Sequence, residues 1–113
     1  MVKTKDRVEQ ILKEYINILT KRFNIYAIVF FGSYAHGSPD EYSDIDLGVF
    51  SESFGKDPLS EMTLLCKMRR QVDTDIEPLP FSKGEFFNHS EKDFVHEILK
   101  TGKIIYKDGK VLI

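Results

Sequence analysis

Fifteen residues, Gly32-Ser33-Tyr34-Ala35-His36-Gly37-Ser38-Pro39-Asp40-Glu41-Tyr42-Ser43-Asp44-Ile45-Asp46, constrain this chain more than any other stretch. They join a small-residue turn to two carboxylates one residue apart. The run ahead of them, Tyr26-Ala27-Ile28-Val29-Phe30-Phe31, is β-branched and aromatic and stops at Gly32, the pattern of a buried strand entering a turn. Such a strand delivers Gly32 and Ser33 to the end of a sheet. Gly32 lets a phosphate approach the backbone, Ser33 offers a hydroxyl and an N–H, and the next residues open a short helix whose N-terminus favours an anion. The turn reads as a phosphate seat. Gly32 and Gly37 have a spacing reminiscent of a P-loop, but neither Lys-Ser nor Lys-Thr follows Gly37, which argues against a Walker-type NTPase.

The stretch continues as Asp44-Ile45-Asp46-Leu47-Gly48-Val49-Phe50. In a strand, Ile45, Leu47 and Val49 share one face and Asp44, Asp46 and Gly48 the other. The two carboxylates stand on residues roughly 6.5–7 Å apart along the strand and repel each other, so one should resist ionisation. A hard cation such as Mg²⁺, which takes oxygen ligands from one or two carboxylates plus substrate phosphates, would relieve that conflict.

Gly32-Ser33 followed at this distance by Asp44-Ile45-Asp46 resembles the signature of the nucleotidyltransferase superfamily that includes DNA polymerase β. The fuller string, Gly32-Ser33-Tyr34-Ala35-x-Gly37 and then Ser43-Asp44-Ile45-Asp46-Leu47, resembles its minimal nucleotidyltransferases. The resemblance implies a small mixed β-sheet flanked by helices, ATP as substrate, two Mg²⁺ ions and a hydroxyl acceptor. It further implies pairing with a HEPN-domain toxin, with a toxin tyrosine as acceptor and the chain as antitoxin. Gly32 and Ser33 would bind the nucleotide, and Asp44 and Asp46 the metal. A third carboxylate from a later strand falls by resemblance on Glu77, at an Ile-Glu-Pro step, with Asp75 as the alternative. His36 stands where many relatives have Arg, which removes any phosphate contact made by that Arg. A chain that neutralises its partner by complex formation, with little transfer, is the competing expectation.

At 113 residues the chain fits one domain, 1–113, too small to add a dedicated acceptor-binding domain. Its net charge of −2 argues against a general grip on nucleic acid. No apolar run is long enough for a membrane span and no signal peptide is visible, so a cytoplasmic location is expected. The lone Cys66 reads as a small core residue.

Val8, Ile11, Leu12, Tyr15, Ile18 and Leu19 predict an amphipathic first helix capped by Thr4. Ser51 to Asp57 reads as a mobile connection, and Pro58 to Gln71 as a helix with Pro58 in its first turn. The basic run Lys67-Met68-Arg69-Arg70 is expected to complement that helix's C-terminal dipole. Val72 to Phe81 predicts a strand with an acidic face, Asp73, Asp75 and Glu77, whose regular pairing ends at Pro78 and Pro80. Phe86-Phe87 reads as a core plug, and Ser90-Glu91-Lys92-Asp93 as a capping box before a last helix that closes at Gly102. The tail predicts a β-hairpin about Asp108-Gly109 that covers a sheet edge, with oligomerisation through it as a further possibility.

Overall fold

The computed structural model describes residues 2–113. The elements run α1 Lys5–Arg22, β1 Ile25–Phe31, α2 Gly32–His36, β2 Ile45–Ser51, α3 Pro58–Arg69, β3 Ile76–Ser82, α4 Lys83–Phe87, α5 Phe94–Thr101, β4 Lys103–Lys107 and β5 Lys110–Val111. The strands form one sheet in the order β3-β2-β1-β4-β5. Among the described residues only the β2–β3 pair is parallel. This is the mixed sheet flanked by helices that the sequence predicts.

Period-two alternation divides the core between the two faces of the sheet. Ile28, Phe30, Ile45, Leu47 and Val49 pack on one face with Val8, Ile11, Leu12, Tyr15 and Leu19 of α1 and Leu65 and Met68 of α3. Tyr15 is fully buried and donates its hydroxyl to the Leu65 carbonyl at 2.8 Å, tying the two helices together. On the other face Ala27, Val29 and Phe50 meet Val95 and Ile98 of α5, with Phe81 and Phe86 packed against them. That second cluster is smaller. It covers Gly48 and Phe50 but not the start of β2, so Asp46 is left half-buried.

Local signals explain most boundaries. The Thr4 hydroxyl accepts from the Arg7 N–H, and Asp57 caps α3 just ahead of Pro58. Asp108 and Gly109 both have positive φ, 48° and 86°, as a two-residue hairpin turn requires. Their hairpin covers one edge of the sheet.

Several expectations need correction. Only Phe86 of the expected core plug packs against the core, while Phe87 is 59% exposed, and Cys66 is half-buried rather than fully inside. Ser51 to Asp57 is anchored rather than loose: Ser51 and Phe54 are buried, and the Glu61 carboxylate accepts from the N–H groups of Gly55 and Asp57. Ser90 does not cap the last helix; α5 starts at Phe94, and Asp93 instead accepts from the Ser90 N–H within the preceding turn. The acidic strand begins only at Ile76, with Asp73 and Asp75 in the turn before it, and its pairing continues through Pro78 and Pro80.

The prolines are tolerated because of their parity. The Ile45 N–H donates to the Asp75 carbonyl at 2.8 Å, so the odd-numbered residues of β3 bond to β2 and the even-numbered ones face outward. Pro78 and Pro80 thus lose only N–H groups that β2 does not use.

Candidate active site

The three carboxylates come from the N-terminal ends of two parallel strands. Asp44 immediately precedes β2, Asp46 is its second residue, and Glu77 is the register partner of Asp46 on β3. Phe31, the last residue of β1, is the antiparallel partner of Asp46 on the other side. Residues opposite one another in a sheet project from the same face, so Phe31, Asp46 and Glu77 form a row across three strands.

Gly32 follows at once with φ +83°, in the left-handed region that favours glycine. A Cβ added there would lie 2.1 Å from Asp46 Oδ2. The turn therefore presses its bare backbone against the Asp46 carboxylate, and no other residue type leaves that carboxylate its place. Ser33 is exposed beside it. Gly37 ends α2 with φ +78°, and the Ser38 N–H donates back to the Ser33 carbonyl at 3.0 Å. Asp40, Tyr42 and Ser43 close the following loop through the Asp40 carboxylate and the Ser43 hydroxyl.

This cluster is short of positive charge. Burial, then Asp44, then Glu77 push the Asp46 carboxyl up to about 6. Among the described residues no Lys or Arg pairs with Asp44 or Asp46, and Arg69 approaches Glu77 only at 3.7 Å. Arg69 also donates to the outward-facing Ile76 carbonyl at 2.7 Å, so it braces the β3 edge as well as ending α3. The dipole reading of its basic run did not anticipate that contact.

Asp75, the alternative third carboxylate, has a different environment. Lys3 Nζ pairs with Asp75 and lies 3.7 Å from Asp73, while the Lys3 N–H donates to the Tyr34 hydroxyl at 3.1 Å. The hydrogen bond to Asp75, followed by the Asp73 charge, raises the Lys3 ammonium above its ordinary value against a desolvation cost. Lys3 went unnoticed in the sequence because its partner lies 72 residues away.

An all-oxygen donor set with excess negative charge suits a hard divalent cation. Among the described residues no three His, Cys, Asp or Glu side chains are already gathered as a metal cage. A cavity of about 430 Å³ lies elsewhere, on the α1 side of the sheet between Val8, Leu12, Tyr34, His36 and Ile105, and takes in none of the carboxylates. His36 is exposed on its rim.

Two proteins of Methanocaldococcus jannaschii are similar in sequence. "Putative protein adenylyltransferase MJ1379" is 40% identical over 48 residues, 42% of this chain and 48% of that protein, so the match spans about half its length. "Putative protein adenylyltransferase MJ0604" is 28% identical over 100 residues, 87% of this chain and 97% of that protein. Two solved structures share the fold at 20% identity. A crystal structure described as a putative nucleotidyltransferase from Sulfolobus solfataricus has a TM-score of 0.68 and is covered over 99% of its length by the whole of this chain. A toxin-antitoxin structure with AMP-PNP has a TM-score of 0.57, with 94% of this chain matching 75% of that one. Residues 13–110 match the family described as "Polymerase beta, Nucleotidyltransferase". With most of its length inside that match, and with the Gly32 turn set against Asp46, the chain belongs to the polymerase beta nucleotidyltransferase family.

Proposed function

We propose that this protein transfers AMP from ATP to a hydroxyl on a partner protein, a tyrosine of a HEPN-domain toxin, and acts as that toxin's antitoxin. The observation that carries the reading is the bare Gly32 backbone held against Asp46, with Asp44 and Glu77 nearby and, among the described residues, no Lys or Arg paired with Asp44 or Asp46. The names of the two archaeal relatives and of the toxin-antitoxin structure support the acceptor class.

In this reading Gly32 and Ser33 hold the triphosphate tail. Asp44, Asp46 and Glu77 would hold two Mg²⁺ ions, which when bound stabilise charge on the attacking and departing oxygens. The acceptor oxygen bonds to the α-phosphorus, the α–β phosphoanhydride bond breaks, and pyrophosphate leaves. Glu77, in register with Asp46, or Asp75 would complete metal binding or take the hydroxyl proton. The Lys3 pairing of Asp75 favours Glu77 for that part.

The test is incubation with Mg²⁺ and host lysate, comparing ATP labelled at the α-phosphate with ATP labelled at the γ-phosphate. Transfer of the α-label alone, abolished in Asp46→Asn, is the expected result, and the labelled band identifies the acceptor. An exposed His36, where many members of the resembled family have Arg, favours a second reading, in which the chain neutralises its partner by binding. Protection from the partner that persists in Asp46→Asn, without label transfer, would establish it.

A further inference from the structure

Phe94 is the first residue of α5, is 56% exposed, and stands edge-on to Phe31 with ring centroids 5.9 Å apart at 82°. The second core cluster does not need it: Val95 and Ile98 anchor α5, and Phe94 lies outside the buried set. Phe31, its only stacking neighbour among the described residues, is the strand partner of Asp46. An aromatic wall therefore flanks the carboxylates on their β1 side. We infer that Phe94, with Phe31 behind it, is the stacking platform for the nucleobase of the donor nucleotide.

The strand order separates the two rings that such a site has to hold. This inference rests on the nucleotidyl transfer proposed above, in which the triphosphate tail lies over Gly32 and Ser33 at the end of β1. The acceptor must then attack in line from the opposite side, over β2 and β3. That side ends in the open sheet edge, since β3 is the outermost strand. The Phe31–Phe94 pair stands on the β1 side of Asp46, away from that edge and from the acceptor's path. A nucleobase tethered there meets a half-exposed aromatic residue, and stacking of this kind is sequence-tolerant because every base has a π-face. The platform should therefore rank purines above pyrimidines by stacking area while distinguishing ATP from GTP poorly.

The test is calorimetric binding of Mg²⁺-AMP-PNP and of Mg²⁺-tripolyphosphate, which lacks the base, to the native protein, Phe94→Ala and Phe94→Trp. The expected result is a roughly tenfold weaker Kd for AMP-PNP in Phe94→Ala, restoration in Phe94→Trp, and unchanged tripolyphosphate binding in both. Equal loss for both ligands would mean a structural role and would overturn the platform. Unchanged AMP-PNP binding, with a raised KM for the acceptor in the α-label assay, would move the ring contact to the acceptor and also overturn it. Native protein that binds AMP-PNP no better than tripolyphosphate overturns the platform by itself. Failure of α-label transfer in the native protein is a separate readout, and it overturns the transferase reading.

Discussion

Two acidic groups lie on neighbouring elements of this molecule and have opposite physical states. Asp73 and Asp75, in the turn before β3, are met by Lys3 and by backbone: the Asp75 N–H donates to Asp73 Oδ1 at 2.8 Å, and the Asp75 carbonyl receives the Ile45 N–H. Among the described residues Arg69 reaches Glu77 at 3.7 Å but no Lys or Arg pairs with Asp44 or Asp46, and Asp46 is pushed up to about 6. The first group has a cation within reach of both its carboxylates and is structural. The second is unbalanced, which is how functional sites commonly differ from solvated or capped acids.

Removing the central member of the unbalanced group should have the largest effect. Asp46→Asn should lower α-phosphate transfer by about 10³-fold or more while the fold persists, measured as initial rates beside circular dichroism. A variant that keeps most of its rate would break the contrast. Gly32→Ala comes next, because its Cβ would fall on Asp46 Oδ2 in a backbone conformation that costs on the order of 1–3 kcal/mol outside glycine. Both transfer and melting temperature should drop, with Ser33→Ala as a milder companion that leaves stability unchanged.

The pH dependence sharpens the same comparison. Asp46 has its folded value raised, so between the ordinary aspartate range near 4 and about 6 the folded chain keeps a proton that the unfolded chain releases. Stability should fall as pH rises through that window and stay lowered above it. Asp46→Asn should flatten this part of the thermal-denaturation profile and be the more stable protein at pH 7. The smallest effect belongs to the first group. Asp75→Asn or Lys3→Met should cost less than about 1 kcal/mol in denaturant unfolding, because the pair is partly exposed, and should leave transfer within a fewfold of native. A thousandfold loss in Asp75→Asn would exchange the roles of Asp75 and Glu77.

The sequence carries the fold well where local chemistry decides it. The amphipathic α1, the strand-turn-strand around Gly32 and the Asp108-Gly109 hairpin follow from periodicity and turn residues that act over a few positions. It carries the site partly. The Asp44-x-Asp46 spacing and the Gly32 turn are visible in it, whereas three other facts depend on which strands become neighbours. These are the register of Glu77 with Asp46, the capture of Asp75 by Lys3 and the placement of Phe94 against Phe31. The prolines of β3 mislead for the same reason: their effect depends on which side of the strand the partner occupies, and parity is not a local property.

Those prolines have a consequence for assembly. An outermost strand offers a row of unpaired N–H and C=O groups that another chain could adopt as a template. On β3 the outward N–H groups at 78 and 80 do not exist, and the outward carbonyl of Ile76 is already taken by Arg69. A strand added there would find few donors to pair with, so this edge is a weak template for sheet extension. The edge nearest the carboxylates is thereby a poor template for fibril-like growth, although it is the outermost strand of the sheet.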